Sequence, residues 1–288
     1  MVDGEARGRA GVPLAAVLVL AAVGICGMGL WRWSDRTADR AEMARLLAMQ
    51  PRDPPAFDPA MVADLPEPAR RFLTFAILPD TPLRRVARIE MAGRFSMGDA
   101  RKAKHYKMVA TQVLAAPHGF IWAMRAGQGE MVLSGSDSAS WTRFWLGGLV
   151  PVARLGGDAD HRRSAFGRYV AEAVFWTPAA ILPGPGVTWD AVDAETARMT
   201  MTHGDLSQSV DLTVDEAGRP VQVVFSRWSN ENPERIHRVQ PFGGVLSAHR
   251  EVDGFRVPMR LVAGNQFGTA DYVPFFDVRV TSIAWPAR

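Results

Sequence analysis

The chain has 288 residues, 48% hydrophobic and 22% charged, with a formal net charge of +3. Such a composition builds one large or two small globular cores without covalent staples, which excludes a disordered or fibrous chain. Lysine occurs only at Lys102, Lys104 and Lys107, the arginines are scattered, and Cys26 is the single cysteine; this excludes a clustered basic nucleic-acid face, a disulfide framework and a Cys-based zinc site within one chain.

The first element is a run of twenty uncharged residues, Val12 to Trp31. At 1.5 Å per residue it is about 30 Å long as a helix, the thickness of a bilayer hydrocarbon core. Trp31 and Trp33 stand at its end as interfacial aromatics do, and Arg7, Arg9, Arg32 and Arg36 flank it. The apolar stretch is long for a cleaved signal peptide and no small-x-small cleavage site is evident. Residues 12–33 therefore read as an uncleaved single-pass anchor in the cytoplasmic (inner) membrane, after a short tail over 1–11. A short N-terminus ahead of a large C-terminal domain points to an extracytoplasmic, periplasmic domain. Ser34 is expected to cap a juxtamembrane helix that continues the anchor. The proline-rich PRDPPAFDP that follows cannot hold a helix, so residues 34–57 read as helix plus linker and 58–288 as a single domain.

Asp58-Pro59 reads as a helix cap with proline in the first turn. Ala69, Phe72, Leu73, Ala76 and Ile77 fall on one helical face. Strand patterns then dominate. Arg85 to Met97 reads as a strand, with a turn beginning at Met97-Gly98-Asp99. Tyr106, Met108, Ala110, Gln112 and Leu114 alternate onto one face, as do Phe120, Trp122 and Met124 after a Pro117-His118-Gly119 turn. Glu130–Gly135 and Ser138–Gly147 read as two more strands. Asp160 is expected to cap a helix to Thr177, with Phe166, Tyr169, Val170, Ala173 and Trp176 on one face and Pro178 ending it. A second run of strand patterns follows, with turns at Gly204-Asp205, Asp215–Gly218 and Asp253-Gly254, the last a hairpin signal. Few helices between many short strands predict a mainly β (α+β) fold, a curled antiparallel sheet or half-barrel with one or two helices packed on it, and argue against parallel α/β architecture.

Catalytic motifs are not found. Gly135-Ser136-Asp137 is not a nucleophile elbow, no histidines pair at metal-ligand spacing, and Gly184-Pro185-Gly186 is not a phosphate loop. Asp158, Asp160 and His161 read as a helix N-terminus. Glu172, one turn after Arg168, reads either as an i, i+4 surface ion pair or as an acid facing a cavity beneath Trp176. The aromatics of sheet and helix read either as a packed core or as the lining of an apolar cavity. On this basis the candidate ligand-binding residues are Trp122, Trp145, Arg168, Tyr169, Glu172 and Trp176, with no catalytic residue, metal or cofactor expected.

Five segments in order, LPEPARRFL from Leu65, HGFIWAMR from His118, RYVAEAVFWTPAAILP from Arg168, VTWDAVD from Val187 and REVDGFRVPMR from Arg250, together resemble an uncharacterised bacterial family, a domain of unknown function, over roughly residues 60–285. The curled sheet with its helices also resembles the half-barrel of periplasmic lipoprotein-carrier proteins. These readings lead to a membrane-tethered, non-enzymatic domain that binds an apolar or lipid-like ligand or a cell-envelope partner, without nucleic acid. The alternatives are an enzyme using the Glu172/Arg168 pair and a structural envelope scaffold.

Overall fold

The structure of the protein, a computed structural model, describes residues 14–97, 104–127 and 132–287. Arg7 and Arg9, Gly98 and Asp99 of the expected turn, and Glu130 at the head of the expected fourth strand lie outside the described residues.

A single uninterrupted helix, α1 (Leu14–Leu47), opens the chain. Ser34 therefore lies mid-helix and caps nothing; the helical hydrogen-bond ladder that already serves its backbone leaves a cap no orphan group to satisfy. The upper part of α1 is apolar enough to cross a membrane, and none of that stretch is buried. A 3-10 turn follows at Pro59–Val62, where the Asp58 carboxylate accepts from the Ala60 N–H as a cap should. Helix α2 (Glu67–Ala76) buries the face expected of it: Ala69, Phe72, Leu73 and Ala76 are all inaccessible.

Six strands come next: β1 (Ala87–Met97), β2 (Lys104–Leu114), β3 (Phe120–Ala126), β4 (Leu133–Ser138), β5 (Trp141–Leu146) and β6 (Val150–Gly156). The sixth was not foreseen. Its exposed residues Val150, Val152 and Leu155 give no half-buried alternation, because β6 is an edge strand. Helix α3 (Ala159–Trp176) is capped by Asp158, not Asp160: the Asp158 carboxylate accepts from the His161 N–H, and Asp160 sits in the first turn. Seven further strands complete the chain: β7 (Val187–Ala191), β8 (Thr196–His203), β9 (Leu206–Val214), β10 (Pro220–Ser229), β11 (Arg238–Val252), β12 (Phe255–Asn265) and β13 (Val273–Ala284).

All thirteen strands form one antiparallel sheet in the order β6-β5-β4-β3-β2-β1-β13-β12-β11-β10-β9-β8-β7. β13 pairs with β1 and joins the two meanders, so β6 and β7 remain as edges and the sheet curls without closing. Close backbone approach at the bend selects small residues: a Cβ at Gly93 would run into the Asp277 carbonyl of β13. The β11–β12 turn is the tight hairpin its Asp253-Gly254 signals, with both residues at positive φ (50° and 82°).

The curl wraps α3. From Ala165 onward nearly every residue of this helix is buried, on all sides, which is how a helix inside a core differs from one lying on a surface. Its neighbours are β9 and β10 along one flank and β12 near its C-terminus. There the Trp176 indole donates to the Pro258 carbonyl at 3.1 Å. Helix α2 closes the same side of the concavity against β7, β8 and β12, with Phe72 against Trp189. The lower part of α1 packs on the opposite, convex face of β2 and β3, where Leu46 meets Val86, Val113, Ala115 and Ile121. Gln50 seals the end of that contact. Its amide donates to the Val86 and Pro286 carbonyls, and its oxygen accepts from the N–H groups of Arg85 and Val86.

Candidate functional site

Helices α2 and α3 fill one half of the concave face. The other half is floored by the strands from β5 round to β11 and carries aromatic rings that remain partly exposed: Phe95, Tyr106, Phe144, Phe242, Phe275 and Phe276. They form two rows. One runs Phe225–Phe242–Phe275–Phe95 with centroid spacings of 5.3, 6.0 and 5.9 Å. The other runs Phe144–Trp122–Phe276 at 6.5 and 6.0 Å. Two consecutive phenylalanines, 275 and 276, contribute to the same face. Strict alternation forbids that, but the β12–β13 register slips between Ala263 and Gly264, pairing Ala263 with Phe276 and Gly264 with Pro274. The extra residue in β13 is a bulge, a device that re-aims a side chain.

Behind the rings stands a polar cluster on α3. The Arg168 Nε donates to Glu172 at 2.9 Å, and its Nη1 donates to Asp137 on β4. The Gln112 amide on β2 donates to the second Glu172 oxygen at 2.6 Å, and Thr142 on β5 donates to Asp137. The guanidinium lies over the rings of Phe120 and Trp122, 4.7 and 5.1 Å from their centroids. Burial disfavours the Arg168 charge, yet the two carboxylates outweigh it and hold its pKa above the ordinary arginine value. Glu172 thus spends both oxygens on fixed donors. That makes it an ion-pair partner more than a poised general base.

Arg227 on β10 is the contrasting cation. It lies over the Phe242 ring at 5.1 Å, and burial, reinforced by the like charge of Arg168, lowers its pKa. No acid forms an ion pair with it among the described residues, and its Nε has no partner. The Gln112 oxygen and the Trp122 indole N–H are buried and unpartnered as well. Buried polar groups are almost always paired, so these three atoms stand out beside the aromatic surface.

Of the residues singled out from sequence, Trp122, Arg168 and Glu172 come together here. Tyr169 adjoins them: its ring packs on Phe120 and Phe166, its hydroxyl donates to the Pro117 carbonyl at 3.2 Å, and burial raises its pKa. The Arg168–Glu172 pair is not a solvated one, its side chains being only 18% and 13% exposed; Trp176, one helical turn after Glu172, packs against Phe175 and bonds to β12. Trp145 lies on the convex face. Its indole donates to Asp35 of α1 at 2.8 Å and its ring meets Trp31 edge-on. Ordinary alternation along β5 separates the two neighbours, Phe144 pointing in and Trp145 out. Arg227 and the phenylalanines escaped the sequence reading, and Gln112 was placed on its strand face but not in the site. The one available signal was an arginine inside an apolar strand pattern, PVQVVFSRW.

An open, curled antiparallel sheet wrapped round a buried helix, with an aromatic half-face and an orphaned cation, defines the class: a helix-filled half-barrel. The chain belongs to the family of unknown function DUF6544, whose model matches residues 55–278. No curated protein matches it. Among solved structures it is similar to a LolA superfamily protein from Nitrosomonas europaea, at 10% identity and a TM-score of 0.38 over 76% of this chain and 92% of that one. It is also similar to a putative outer membrane lipoprotein-sorting protein domain from Vibrio parahaemolyticus (9%, 0.37, covering 69% and 85%) and a DUF1329 family protein from Desulfovibrio piger (8%, 0.37, covering 76% and 90%).

Proposed function

We propose that the protein is a membrane-tethered binding domain whose open concave half takes an amphiphile, the acyl part against the phenylalanine rows and an anionic head at Arg227. The observation that carries this is the juxtaposition of partly exposed rings with a half-buried arginine that no acid among the described residues ion-pairs. An apolar chain laid on such rings removes their remaining surface from water, at roughly 25 cal/mol per Å². A carboxylate or phosphate reaching Arg227 supplies the charge-assisted hydrogen bonds its Nε lacks. In this proposal α1 is the anchor in the cytoplasmic membrane and the domain is extracytoplasmic. A reporter enzyme active only outside the cytoplasm, fused at Arg288, should be active.

The binding test uses the full chain in detergent-free nanodiscs and a fluorescent fatty acid. Saturable uptake is expected, displaced by unlabelled fatty acid, and reduced roughly tenfold in Arg227→Leu, the loss of one charge-assisted pair. Uptake unchanged in both Arg227→Leu and Phe276→Ala, or no uptake at all, overturns the proposal.

A further inference from the structure

A second surface feature lies on the other side of the sheet. Between α1 and the convex face of β1–β4 runs a groove of about 500 Å³. Its charged lining is Arg32, Arg36 and Asp39 from α1, Glu90 from β1 and Arg125 from β3, with Val109 of β2 between them. Asp39 is engaged by the Ser136 hydroxyl at 2.6 Å, and Glu90 by Arg88 at 3.3 Å. The three arginines have no ion pair among the described residues.

Arg32 is the decisive one. It is only 8% exposed, its Nη2 donates to the neutral Ser134 hydroxyl at 3.0 Å, and its Nε is buried without a partner. A guanidinium so withdrawn from water, answered by one hydroxyl and the Trp145 ring 5.7 Å away, has unused donors in a planar fork suited to a phosphate. Its place in the chain names the source of that phosphate. Arg32 directly follows Trp31, the last residue of the apolar run, and the helix is unbroken there. With that run across a bilayer, Arg32 and Arg36 stand at the level of the headgroups.

We propose that this groove is a binding site for the headgroup phosphate of an anionic phospholipid of the bilayer leaflet from which α1 emerges. It rests on the anchoring part of the proposed function and is independent of the concave face. Arg32 and Arg125 grip the phosphate from helix and sheet, and the lipid thereby ties the two together. Because the anchor holds the groove in the headgroup layer, the local lipid concentration is high and modest intrinsic affinity fills the site.

The test places the full chain in nanodiscs of phosphatidylcholine mixed with phosphatidylglycerol, and native mass spectrometry counts the lipids that stay bound on release. Phosphatidylglycerol should be retained in preference to phosphatidylcholine. That preference should fall roughly tenfold in Arg36→Gln/Arg125→Gln, whose exposed residues are outside the core, and in Arg32→Gln, but not in the control Arg40→Gln. Equal retention of both lipids, or a preference indifferent to both groove variants, overturns the site. Displacement of the lipid by inorganic phosphate overturns the assignment to a lipid source. Elution of the chain free of nanodiscs is a different failure: it removes the anchor, and with it this inference, while fatty-acid uptake by the released chain still tests the concave face.

Discussion

Two charged networks sit back to back on β3–β5, and they differ in completeness. On the convex face, Asp35 of α1 receives the Trp145 indole at 2.8 Å, both terminal nitrogens of Arg154 at 2.7 and 3.0 Å, and Arg143 at 3.5 Å. Burial pushes this carboxyl up, but the Arg154 and Trp145 donors outweigh it and hold it below the usual range. On the concave face, Arg168, Glu172, Asp137 and Gln112 satisfy one another while Trp122, the Gln112 oxygen and Arg227 keep unpaired atoms. A network with every member answered is a latch. The other leaves atoms without partners at an aromatic surface, and the two should respond differently when broken.

The sharpest break is Asp35→Ala. It strands two arginines and an indole under α1, so it should cost about 3 kcal/mol, the range for removing one partner of a buried pair, and should free the helix from the sheet. Urea unfolding followed by tryptophan fluorescence in micelles reads the first effect, and limited proteolysis near residue 50 the second. Equal stability in wild type and variant would mean that the latch holds nothing. Glu172→Ala should cost less, about 2 kcal/mol, because Arg168 keeps Asp137; fatty-acid uptake should fall with it, whereas Asp35→Ala should leave uptake intact per folded molecule. Phe95→Ala should be milder still in stability, about 1 kcal/mol for a half-exposed ring in an aromatic pair, but should weaken uptake clearly. A Phe95 variant that lowers stability by several kcal/mol without touching uptake would identify the open half as core.

The smallest expected effect is a pH dependence that belongs to neither network. His249 on β11 is half-buried and its Nε2 lies 2.9 Å from the Pro220 carbonyl. Burial lowers its pKa, Arg219 adds to the effect, and the Pro220 bond opposes it. The folded value thus lies below the unfolded one of about 6.5. The stability it contributes is complete above that unfolded value and is lost as pH falls toward and through the folded value. Urea midpoints should therefore drop between roughly pH 7.5 and 5.5, and His249→Phe should flatten that drop. A slope identical in wild type and variant would assign it to other groups.

Much of the architecture was legible because it is periodic. Alternation in β2 and β3 placed Gln112 with Met108 and Ala110, and Phe120 with Trp122. Helical spacing found the buried face of α2 and the existence of α3, though not its burial on all sides, and Asp253-Gly254 announced its hairpin. The site was legible only in part, because it depends on registers and on pairs far apart in sequence. Nothing local to Trp145 tells that its partner is Asp35, 110 positions away. The bulge that turns both Phe275 and Phe276 inward is a one-residue slip against β12, invisible to a period of two. The docking of α1 was hidden for the same reason, since its lower half reads as a charged juxtamembrane helix until β4 supplies Ser134 and Ser136.

The unbroken course of α1 has a mechanical consequence. With no hinge between its apolar upper part and the stretch clamped by Asp35, Asp39 and Gln50, the helix acts as a rigid shaft. A span in a thinner bilayer tilts to keep its apolar length covered. In the membrane-tethered arrangement proposed above, such a tilt would swing the entire sheet, and lipid thickness would set the angle at which the concave face meets the membrane surface.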